Sequence, residues 1–320
     1  MELNKNNKIS VLMCTYQEPL AWIEDAINSI LRQTYKNIEM IIIVDDPHNY
    51  ALIELLKQYE NRYSIIKVLI NRENVGLVKS LNRGIEYCTG DFIARMDADD
   101  ISNVNRLEVE MEYLIENDLD LVGSKMEWFY EDRILGVGNI CYSHWGCSEM
   151  LKIHSSIAHP TWLLKKELMN KLHGYRNIDA CEDYDFLIRA VLSNFKIGNV
   201  PQVLLSYRDN PNSISHKKRY SQKEITRYIA KKYKNNVEIS LVDLEAFCKD
   251  IKFEDNIRAQ KNIQENIYQF KVAREVGDIK AMIVKAFSLL INRRFYNRIA
   301  IEIRERTIRI IDMLLIILRI

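Results

Sequence analysis

Several features that would mark a membrane-spanning, secreted or nucleic-acid-binding protein are missing from this sequence. No apolar run reaches the roughly 20 residues that a helix needs to span a bilayer. The opening residues, Met1 to Lys8, are polar and show no apolar signal region, so we expect a cytoplasmic location. The formal net charge is only +1, so no overall field attracts nucleic acid, and we expect no nucleic-acid partner.

Cysteine, proline and glycine are scarce or unpatterned. The six cysteines form no Cys-x-x-Cys pair, so we expect reduced structural thiols. Cys141 and Cys147 flank His144, but this spacing matches no standard zinc pattern. There are only ten glycines and five prolines, and the stretch after Lys223 is almost free of both. We therefore predict that this stretch is entirely helical.

The sequence does contain a regular alternation of apolar runs and amphipathic segments. Ile38 to Val44 is apolar almost throughout, as expected for a strand covered on both faces. This alternation predicts an α/β fold with a mostly parallel, Rossmann-like sheet flanked by helices. We predict strands at 9–14, 38–44, 65–70, 92–96, 120–126, 161–164 and 203–207, a hairpin within 127–140, and helices at 19–33, 50–59, 77–87, 105–116 and 183–194.

Clusters of polar residues follow the first four predicted strands. Thr15 to Glu18 follows the first, Asp45-Asp46 the second and Asn74-Val75-Gly76 the third. The fourth strand runs directly into Asp97-Ala98-Asp99-Asp100. Because the carboxyl ends of parallel strands meet at one edge of a sheet, these four clusters together predict a ligand cleft.

The acids after the fourth strand are the most informative of these clusters. Unpaired buried charge costs several kcal/mol, so Asp97 and Asp99 must lie where the strand reaches the surface. Acids at i and i+2 can place two carboxylates on one divalent cation, and such a cation typically bridges phosphates. Asp100, Ser102 or Asn103 can cap the helix that follows, which leaves Asp97 and Asp99 for the cation. This pattern indicates metal-assisted chemistry on a phosphate leaving group.

The order of the clusters resembles that of the family 2 glycosyltransferases, which have the GT-A nucleotide-sugar fold. The resemblance runs from about Lys8 to Ser215. It includes the DxD motif at Asp97-Ala98-Asp99 and later matches at His159-Pro160-Thr161, Cys181-Glu182-Asp183 and Ser206-Tyr207-Arg208. It implies a GT-A catalytic domain over residues 1–215, and residues 216–320 remain as an all-helical C-terminal extension.

The resemblance also implies an activity. The expected enzyme is an inverting, metal-dependent hexosyl- or N-acetylhexosaminyltransferase. Its donor is a nucleoside diphosphate sugar, with a UDP-sugar expected, and its acceptor is a glycan or a lipid-linked sugar. The expected process is the synthesis of a surface polysaccharide such as capsule, exopolysaccharide or O-antigen.

Roles for the donor-side residues follow from this resemblance. Asp45 or Asp46 would accept an N–H of the nucleobase, and Lys79 would offset phosphate charge. Asp99 would be the main ligand of Mn²⁺ or Mg²⁺, which neutralises the diphosphate as it leaves, with Asp97 on the ion or the ribose. The full set expected around the donor is Thr15, Tyr16, Glu18, Asp45, Asp46, Asn74, Gly76, Lys79, Asp97 and Asp99.

The acceptor hydroxyl must lose its proton to a base on the face opposite the leaving diphosphate. Asp183, the second acid of the matched Glu-Asp pair, is the predicted catalytic base, and Glu182 beside it can raise its pKa. The alternative is that both acids merely cap a helix. His159, Trp162 and Arg208 are the other residues expected on the acceptor side or directly behind it.

The chain departs from the family pattern at several positions. Cys14 and Gln17 replace the usual Pro and Asn of the first cluster, and Pro47-His48 replaces Gly-Ser after the second-strand acids. Asn210 lies near the position where relatives often carry a histidine, and His216 is the residue that would compensate. These changes leave the reaction class standing but weaken any inference about the sugar.

The last segment, 293–320, is both basic and strongly apolar. Its seven arginines and three acids give a net charge of +4. A basic, apolar helix too short to span a bilayer can lie on an anionic membrane surface, which would place the protein on the inner face of the cell membrane. The alternative is a helix packed on its own domain or on a second subunit of a homo-oligomer. The pattern slightly favours the membrane.

Two other function classes fit part of the pattern. A metal-dependent nucleotidyltransferase also uses acids at strand ends, but it needs a Gly-rich phosphate loop near the first strand. Cys14 to Glu18 contains no glycine, which counts against that class. The other class is a non-catalytic nucleotide-sugar-binding subunit docked through the C-terminal helices, and the complete set of acids argues against it.

Overall fold

The computed structural model describes residues 7–178, 180–210, 218–235, 237, 239–250 and 293–318, with scattered positions between 265 and 285. The strands are β1 (Ile9–Thr15), β2 (Ile38–Val44), β3 (Ile66–Ile70), β4 (Phe92–Asp97), β5 (Ile101–Ser102), β6 (Leu121–Tyr130), β7 (Arg133–Val137), β8 (Leu163–Lys165) and β9 (Ile197–Arg208). The helices are α1 (Leu20–Leu31), α2 (Tyr50–Arg62), α3 (Leu77–Tyr87), α4 (Arg106–Glu116), α5 (His144–Met150), α6 (Lys166–Lys171), α7 (Glu182–Leu192), α8 (Arg219–Lys234), α9 (Leu241–Asp250) and α10 (Arg293–Leu318), with a 3₁₀ turn at His159–Thr161.

These strands form one sheet in the order β3-β2-β1-β4-β8-β6-β9-β5, and β7 pairs with β6 outside this path. The four strands β3, β2, β1 and β4 are parallel. Beyond β4 the sheet is mixed, because β8 is antiparallel to both β4 and β6, whereas β6 and β9 are parallel. The predicted α/β class is confirmed, and the parallel character belongs mainly to its first half.

The parallel half is covered by apolar side chains on both faces. Val11 and Met13 of β1 belong to one hydrophobic core, and Leu12 and Cys14 belong to the other. Successive side chains of a strand point to opposite faces, so a strand between two cores must be apolar at every position. This is the physical reason for the uninterrupted apolar runs in the sequence.

The last strand is the element that the sequence predicted least well. We expected residues 203–207, whereas β9 begins at Ile197. Gly198 and Pro201 disfavour a strand in a local reading of the sequence. The register between β6 and β9 shifts between Ser124 and Lys125, and this irregularity accommodates the proline. The hairpin expected within 127–140 is confirmed as β6 and β7.

The start of α4 corrects another prediction. Asp100, Ser102 or Asn103 was predicted to be able to cap this helix, but among the described contacts no side chain of the three accepts from an N–H of Arg106–Glu116, and Asn103 accepts from Arg106 only through its carbonyl, at 3.1 Å. Instead the N–H of Leu107 donates to Gln33 Oε1 at 3.0 Å. Gln33 Nε2 in turn donates to the carbonyl of Asn103 at 2.6 Å. The cap therefore comes from a residue far away in the sequence, which local cap rules cannot anticipate.

The described part of the C-terminal region is helical, as predicted. Ile225, Ile229 and Tyr233 of α8 are buried in the same hydrophobic core as Tyr184 and Phe186 of α7. None of the helices that the structure describes is both long and apolar enough to cross a membrane. The predicted domain boundary at 215/216, and His216, lie outside the described residues.

One face of α10 packs on the catalytic fold. Asp312 is buried, and its carboxylate accepts hydrogen bonds from the N–H groups of Tyr142 at 2.6 Å and Ser143 at 3.2 Å. These groups precede α5, so the carboxylate lies at the positive end of that helix. Ile308 is buried on the same side. The alternative of packing on its own domain thus holds for this face of α10.

Candidate active site

The four parallel strands bring the predicted donor-side clusters to one edge of the sheet. In the register of the sheet, Thr15 lies beside Val44, Cys14 beside Asp97 and Val44 beside Ile70. The loops that follow these strands therefore begin next to one another. The edge predicted from the sequence is the edge observed.

The first loop is held by Glu18. Its Oε2 atom accepts hydrogen bonds from the Thr15 hydroxyl and the Tyr16 N–H, both at 2.8 Å. Thr15 is buried beneath the loop, whereas the Tyr16 side chain is 40% exposed. Of Thr15, Tyr16 and Glu18, the three residues predicted to contact the donor, Tyr16 is the one with an exposed side chain, and Glu18 orders the backbone around it.

The two acids after β2 have different environments. Asp45 is buried, and it accepts hydrogen bonds from Asn71 Nδ2 at 2.6 Å, from the Val75 N–H at 3.0 Å and from the Gly76 N–H at 2.9 Å. Asp46 is only half-buried and accepts from the His48 N–H at 3.0 Å. Of the two acids predicted to meet the nucleobase, Asp46 is the one accessible to it, and Asp45 holds the next loop.

That next loop precedes α3. Gly76 has a backbone φ of +85°, a conformation that side chains with a Cβ rarely adopt. Its single N–H donates to both Asp45 Oδ2 at 2.9 Å and Asn74 Oδ1 at 3.1 Å, which fixes the turn. Asn74 and Lys79 are exposed at the edge. The glycine predicted for close backbone approach is thus required by the turn itself.

Arg95 is a site residue that sequence analysis missed. It is 1% exposed within β4, and its guanidinium donates to the Asp97 carboxylate and forms an ion pair with it. Its Nε atom is buried with no hydrogen-bond partner among the described residues. The available signal was a charged residue in the middle of the apolar run from Phe92 to Met96. Arg95 thereby positions the first acid of the DxD motif.

The other two acids of this cluster are crowded. Burial, and then repulsion from Asp97, raise the pKa of Asp99 to about 6. Asn210 Nδ2 donates to Asp99 Oδ2 at 3.2 Å, so the position where relatives often carry histidine does reach the motif. Asp100 is fully buried, and burial together with both neighbouring acids raises its pKa well above the usual range. Three acids therefore share a site that lacks a compensating cation for all of them.

Arg208 supports this cluster from behind. Its guanidinium lies between the rings of Trp22 and Phe129, 4.8 and 4.6 Å from their centroids. Its Nε donates to the Asp99 carbonyl at 2.8 Å, and its N–H donates to Asp100 Oδ1 at 2.9 Å. Because Arg208 is only 9% exposed, it lies behind the acids and not in contact with an acceptor. The aromatic partners were not predicted, since no local pattern links residues 22, 129 and 208.

The acids fit a divalent cation that is completed by phosphate oxygens. No group of three His, Cys, Asp or Glu side chains in the described part of the chain could hold a metal alone. Mg²⁺-type ions are commonly bound by one or two carboxylates together with substrate phosphates. Asp99 and Asp97 offer that number of carboxylates, and a cation between them would relieve the repulsion that contributes to the raised pKa of Asp99.

The Glu-Asp pair lies at the start of α7, within electrostatic reach of the DxD motif. Burial, and next the charge of its neighbour Asp183, raise the pKa of Glu182 to about 8. Burial likewise raises the pKa of Asp183 to about 6, although the Tyr184 N–H donates to its carboxylate at 2.7 Å. Asp97 and Arg95 act on both acids. Glu182 and Asp183 therefore lie close enough to Asp97 to interact with it electrostatically.

The predictions for two ring-bearing residues, Trp162 and His159, need adjustment. Trp162 is fully buried, and its indole N–H donates to the Ile157 carbonyl at 3.3 Å. It cannot present a face to a sugar, so its assignment as an acceptor contact is wrong. His159 is half-buried above it, and its Nε2 is hydrogen-bonded to the Tyr175 hydroxyl at 2.9 Å. Burial, and next the charge of Arg95, lower the pKa of His159 well below its usual value, so it is neutral near pH 7.

The sheet and its acidic edge are those of the GT-A glycosyltransferases. A model of the glycosyl transferase family 2 matches residues 10–178, which is more than half of the chain, and the chain belongs to this family. In two solved structures the same fold recurs. One is S. aureus TarS 1-349 in complex with UDP-GlcNAc, with a TM-score of 0.59, 19% identity and 74% and 69% of the two chains covered. The other is the mannosyltransferase PcManGT from Pyrobaculum calidifontis in complex with GDP-Man and Mn²⁺, with a TM-score of 0.60, 12% identity and 96% and 87% covered.

Two Escherichia coli relatives are more similar in sequence. The chain is 31% identical over 257 residues to the O-antigen biosynthesis glycosyltransferase WbnJ. The match covers 78% of this chain and 98% of WbnJ. It is 30% identical over 205 residues to the UDP-Gal:alpha-D-GlcNAc-diphosphoundecaprenol beta-1,3-galactosyltransferase, which covers 63% of this chain and 74% of that protein. The chain is accordingly a glycosyltransferase.

The different roles of the two acids after β2 lead to a stability prediction. Asp45→Asn should lower the free energy of unfolding by about 1–3 kcal/mol, because an amide cannot accept all three of the hydrogen bonds that the buried carboxylate accepts. Asp46→Asn is the matched control and should change it by less than about 0.5 kcal/mol. Urea denaturation measures both. Equal stabilities for the two variants would show that Asp45 does not hold the loop.

Proposed function

We propose that this glycosyltransferase moves a hexosyl or N-acetylhexosaminyl group, with inversion, from a UDP-sugar to a glycan or lipid-linked acceptor in surface-polysaccharide synthesis. The observation that carries the proposal is that two acid pairs, Asp97 with Asp99 and Glu182 with Asp183, lie within electrostatic reach of each other. One pair suits a leaving diphosphate with its cation, and the other suits an incoming hydroxyl. The named roles of the relatives in O-antigen synthesis and in transfer to a diphosphoundecaprenol-linked sugar support the acceptor class.

In this mechanism Asp183 is the general base. Its carboxylate takes the proton of the acceptor hydroxyl as the oxygen bonds to the anomeric carbon of the donor sugar. The bond between that carbon and the diphosphate oxygen breaks at the same time, so a single displacement inverts the anomeric centre. Burial, together with the charge of Asp97, raises the pKa of Asp183 to about 6, so this carboxylate can accept a proton near neutral pH.

The donor side holds the nucleotide and its charge. On this side, Asp46 and Tyr16 are the accessible side chains that would contact the nucleobase of the donor. The turn at Gly76 and the exposed Lys79 would face its phosphates. Asp99 and Asp97 would hold Mn²⁺ or Mg²⁺, which when bound neutralises the departing diphosphate. The Mn²⁺ named with the mannosyltransferase of the same fold supports a divalent ion of this kind.

A thermal-shift panel of nucleotide sugars with and without Mn²⁺ tests the donor and metal assignments. A UDP-sugar with Mn²⁺ should raise the unfolding midpoint by several degrees, since a ligand that binds only the folded state stabilises it by mass action. Asp99→Ala should abolish the increment that depends on Mn²⁺, whereas Glu116→Ala, an exposed acid on α4, should retain it. A shift by GDP-sugars alone would overturn the UDP assignment, and an unchanged Mn²⁺ increment in Asp99→Ala would overturn the metal role.

The role of Asp183 leads to a kinetic prediction. Asp183→Asn should lower kcat by at least about 100-fold while leaving the affinity for UDP unchanged, because an amide cannot accept the proton. A base works in its ionised form, so the wild-type rate should rise with pH through about 6, the raised pKa of this carboxyl. Steady-state kinetics from pH 5 to pH 8, with calorimetry for UDP, measure both effects. Turnover of Asp183→Asn within tenfold of wild type would remove Asp183 as the base.

The outer face of α10 is the surface that we propose lies on an anionic membrane. Ile303, Ile310 and Ile317 are 60%, 55% and 67% exposed, and because they are seven residues apart they lie on one side of the helix. Arg304 and Arg309 are half-buried and pair with Glu149 and Glu305, so the exposed Arg306, which pairs on the surface with Glu302, is the cation on this side that favours anionic lipid. A peripheral position on the inner face of the cell membrane would bring the cleft close to a lipid-linked acceptor.

Vesicle binding tests this surface. The triple variant Ile303→Gln, Ile310→Gln, Ile317→Gln should weaken binding to phosphatidylglycerol vesicles by at least about tenfold, since each change removes apolar area from the interface. The matched control carries three equivalent changes at exposed residues of β7, namely Ile134→Gln, Leu135→Gln and Val137→Gln. Sedimentation with vesicles measures binding. If the wild type does not sediment but forms a homo-oligomer that the α10 variant disrupts, the partner of this face is a second copy.

A further inference from the structure

The backbone that leads into α7 is held by a residue of α8. Gln222 Nε2 donates a hydrogen bond to the Ala180 carbonyl at 2.8 Å. In the reverse direction, the Cys181 thiol donates to the Gln222 carbonyl at 3.5 Å and lies 3.6 Å from the Thr226 hydroxyl. Ala180 and Cys181 directly precede Glu182 and Asp183. The residue proposed as the base is therefore two peptide bonds away from a contact with the helical C-terminal region.

The conformation of Ala180 makes this contact consequential. Its φ is +56°, in the left-handed region that residues with a Cβ seldom occupy. Such a residue keeps this conformation only when the surrounding structure imposes it. Among the described contacts, the side-chain hydrogen bond to the Ala180 carbonyl comes from Gln222, on a different helix. Without this hydrogen bond, the backbone at Ala180 would relax towards a less strained conformation.

A second connection lies on the other side of the base. Asp185 is 1% exposed, and its carboxylate accepts hydrogen bonds from Arg176 Nε at 2.9 Å and from Arg189 Nε at 2.8 Å. Arg176 Nη1 also donates to the Ile239 carbonyl at 2.8 Å, in the connection between α8 and α9. The first turn of α7 is thus tied to the C-terminal helices both before and after Asp183.

The packing of α8 on α7 gives these bonds a rigid support. Ile225 and Ile229 of α8 and Ile239 beyond it are buried in the same core as Tyr184 and Phe186. Well-packed cores transmit small displacements instead of absorbing them. A shift of α8 therefore moves the start of α7.

We propose that Gln222 is a positioning residue for the transfer reaction, and that through it the C-terminal helices set the orientation of Asp183 towards the cleft. Gln222 does not touch substrate, and it acts by holding the peptide before Glu182. The inference rests on the proposed role of Asp183 as the base. It assigns the C-terminal region a part in catalysis that is separate from its proposed contact with a membrane.

The test compares variants of Gln222 in the full chain. Gln222→Met keeps the length of the side chain and its packing but removes the N–H donor, and Gln222→Ala removes both. Arg227→Ala is the matched control, because Arg227 is exposed on the same helix and pairs only locally with Glu224 among the described contacts. Gln222→Met should lower kcat by at least about tenfold with KM for the donor and affinity for UDP within twofold, and Arg227→Ala should match the wild type. A residue that served stability alone would not produce this separation of kcat from KM.

Hydrogen–deuterium exchange of the peptide over residues 178–186 supplies a readout that does not depend on activity. Loss of the Gln222 bond should speed exchange there in Gln222→Met while leaving β1 to β4 unchanged. An active wild type with an unchanged kcat in Gln222→Met, or a parallel rise in KM, overturns the inference. If the wild type has no transferase activity, the proposed function is overturned instead. In that case the exchange data still decide the positioning role of the contact, and unchanged exchange in Gln222→Met overturns it.

Discussion

The buried charge of Arg95 is the constraint on which the site depends. A guanidinium in an apolar strand needs an anion, since an unpaired buried charge costs several kcal/mol. Asp97 supplies it at the end of the same strand and is thereby fixed at the edge of the sheet. The charges of both residues act on Glu182 and Asp183 across the cleft. Asp97, Glu182 and Asp183, which we propose for the two sides of the reaction, thus interact with one buried guanidinium.

Around Arg95 the site holds more negative charge than it compensates. Asp99, Asp100, Glu182 and Asp183 all have raised pKa values, and burial is the largest cause for each. The Arg208 guanidinium, 4.8 and 4.6 Å from the Trp22 and Phe129 ring centroids, bonds the Asp99 carbonyl, and its backbone N–H bonds the Asp100 carboxylate. An excess of this kind suits a site that receives a divalent ion and a proton during its reaction. This repulsion lowers stability at the site, whereas the two hydrophobic cores, one on each face of the sheet, stabilise the fold.

The C-terminal helices show where local patterns stop being informative. Scarcity of glycine and proline after Lys223 correctly predicted helices, because helix propensity is a local property. It did not predict that Asp312 would bind the start of α5, or that α8 would share a core with α7. The basic and apolar character of α10 was likewise visible, but only the structure divides it into a face that is packed and a face that remains exposed.

The class of fold, the positions of the first four strands along the chain and the edge that carries the acids were all readable from the sequence, because apolar runs and strand-end acids are local consequences of burial. The tertiary structure alone decided that Asp45 is used internally while Asp46 is accessible, and that Trp162 lies in the core. It also decided that Gln33 caps α4 and that Gln222 supports the start of α7. Each of these depends on hydrogen bonds or packing between residues far apart in sequence, and no local spacing encodes such pairs.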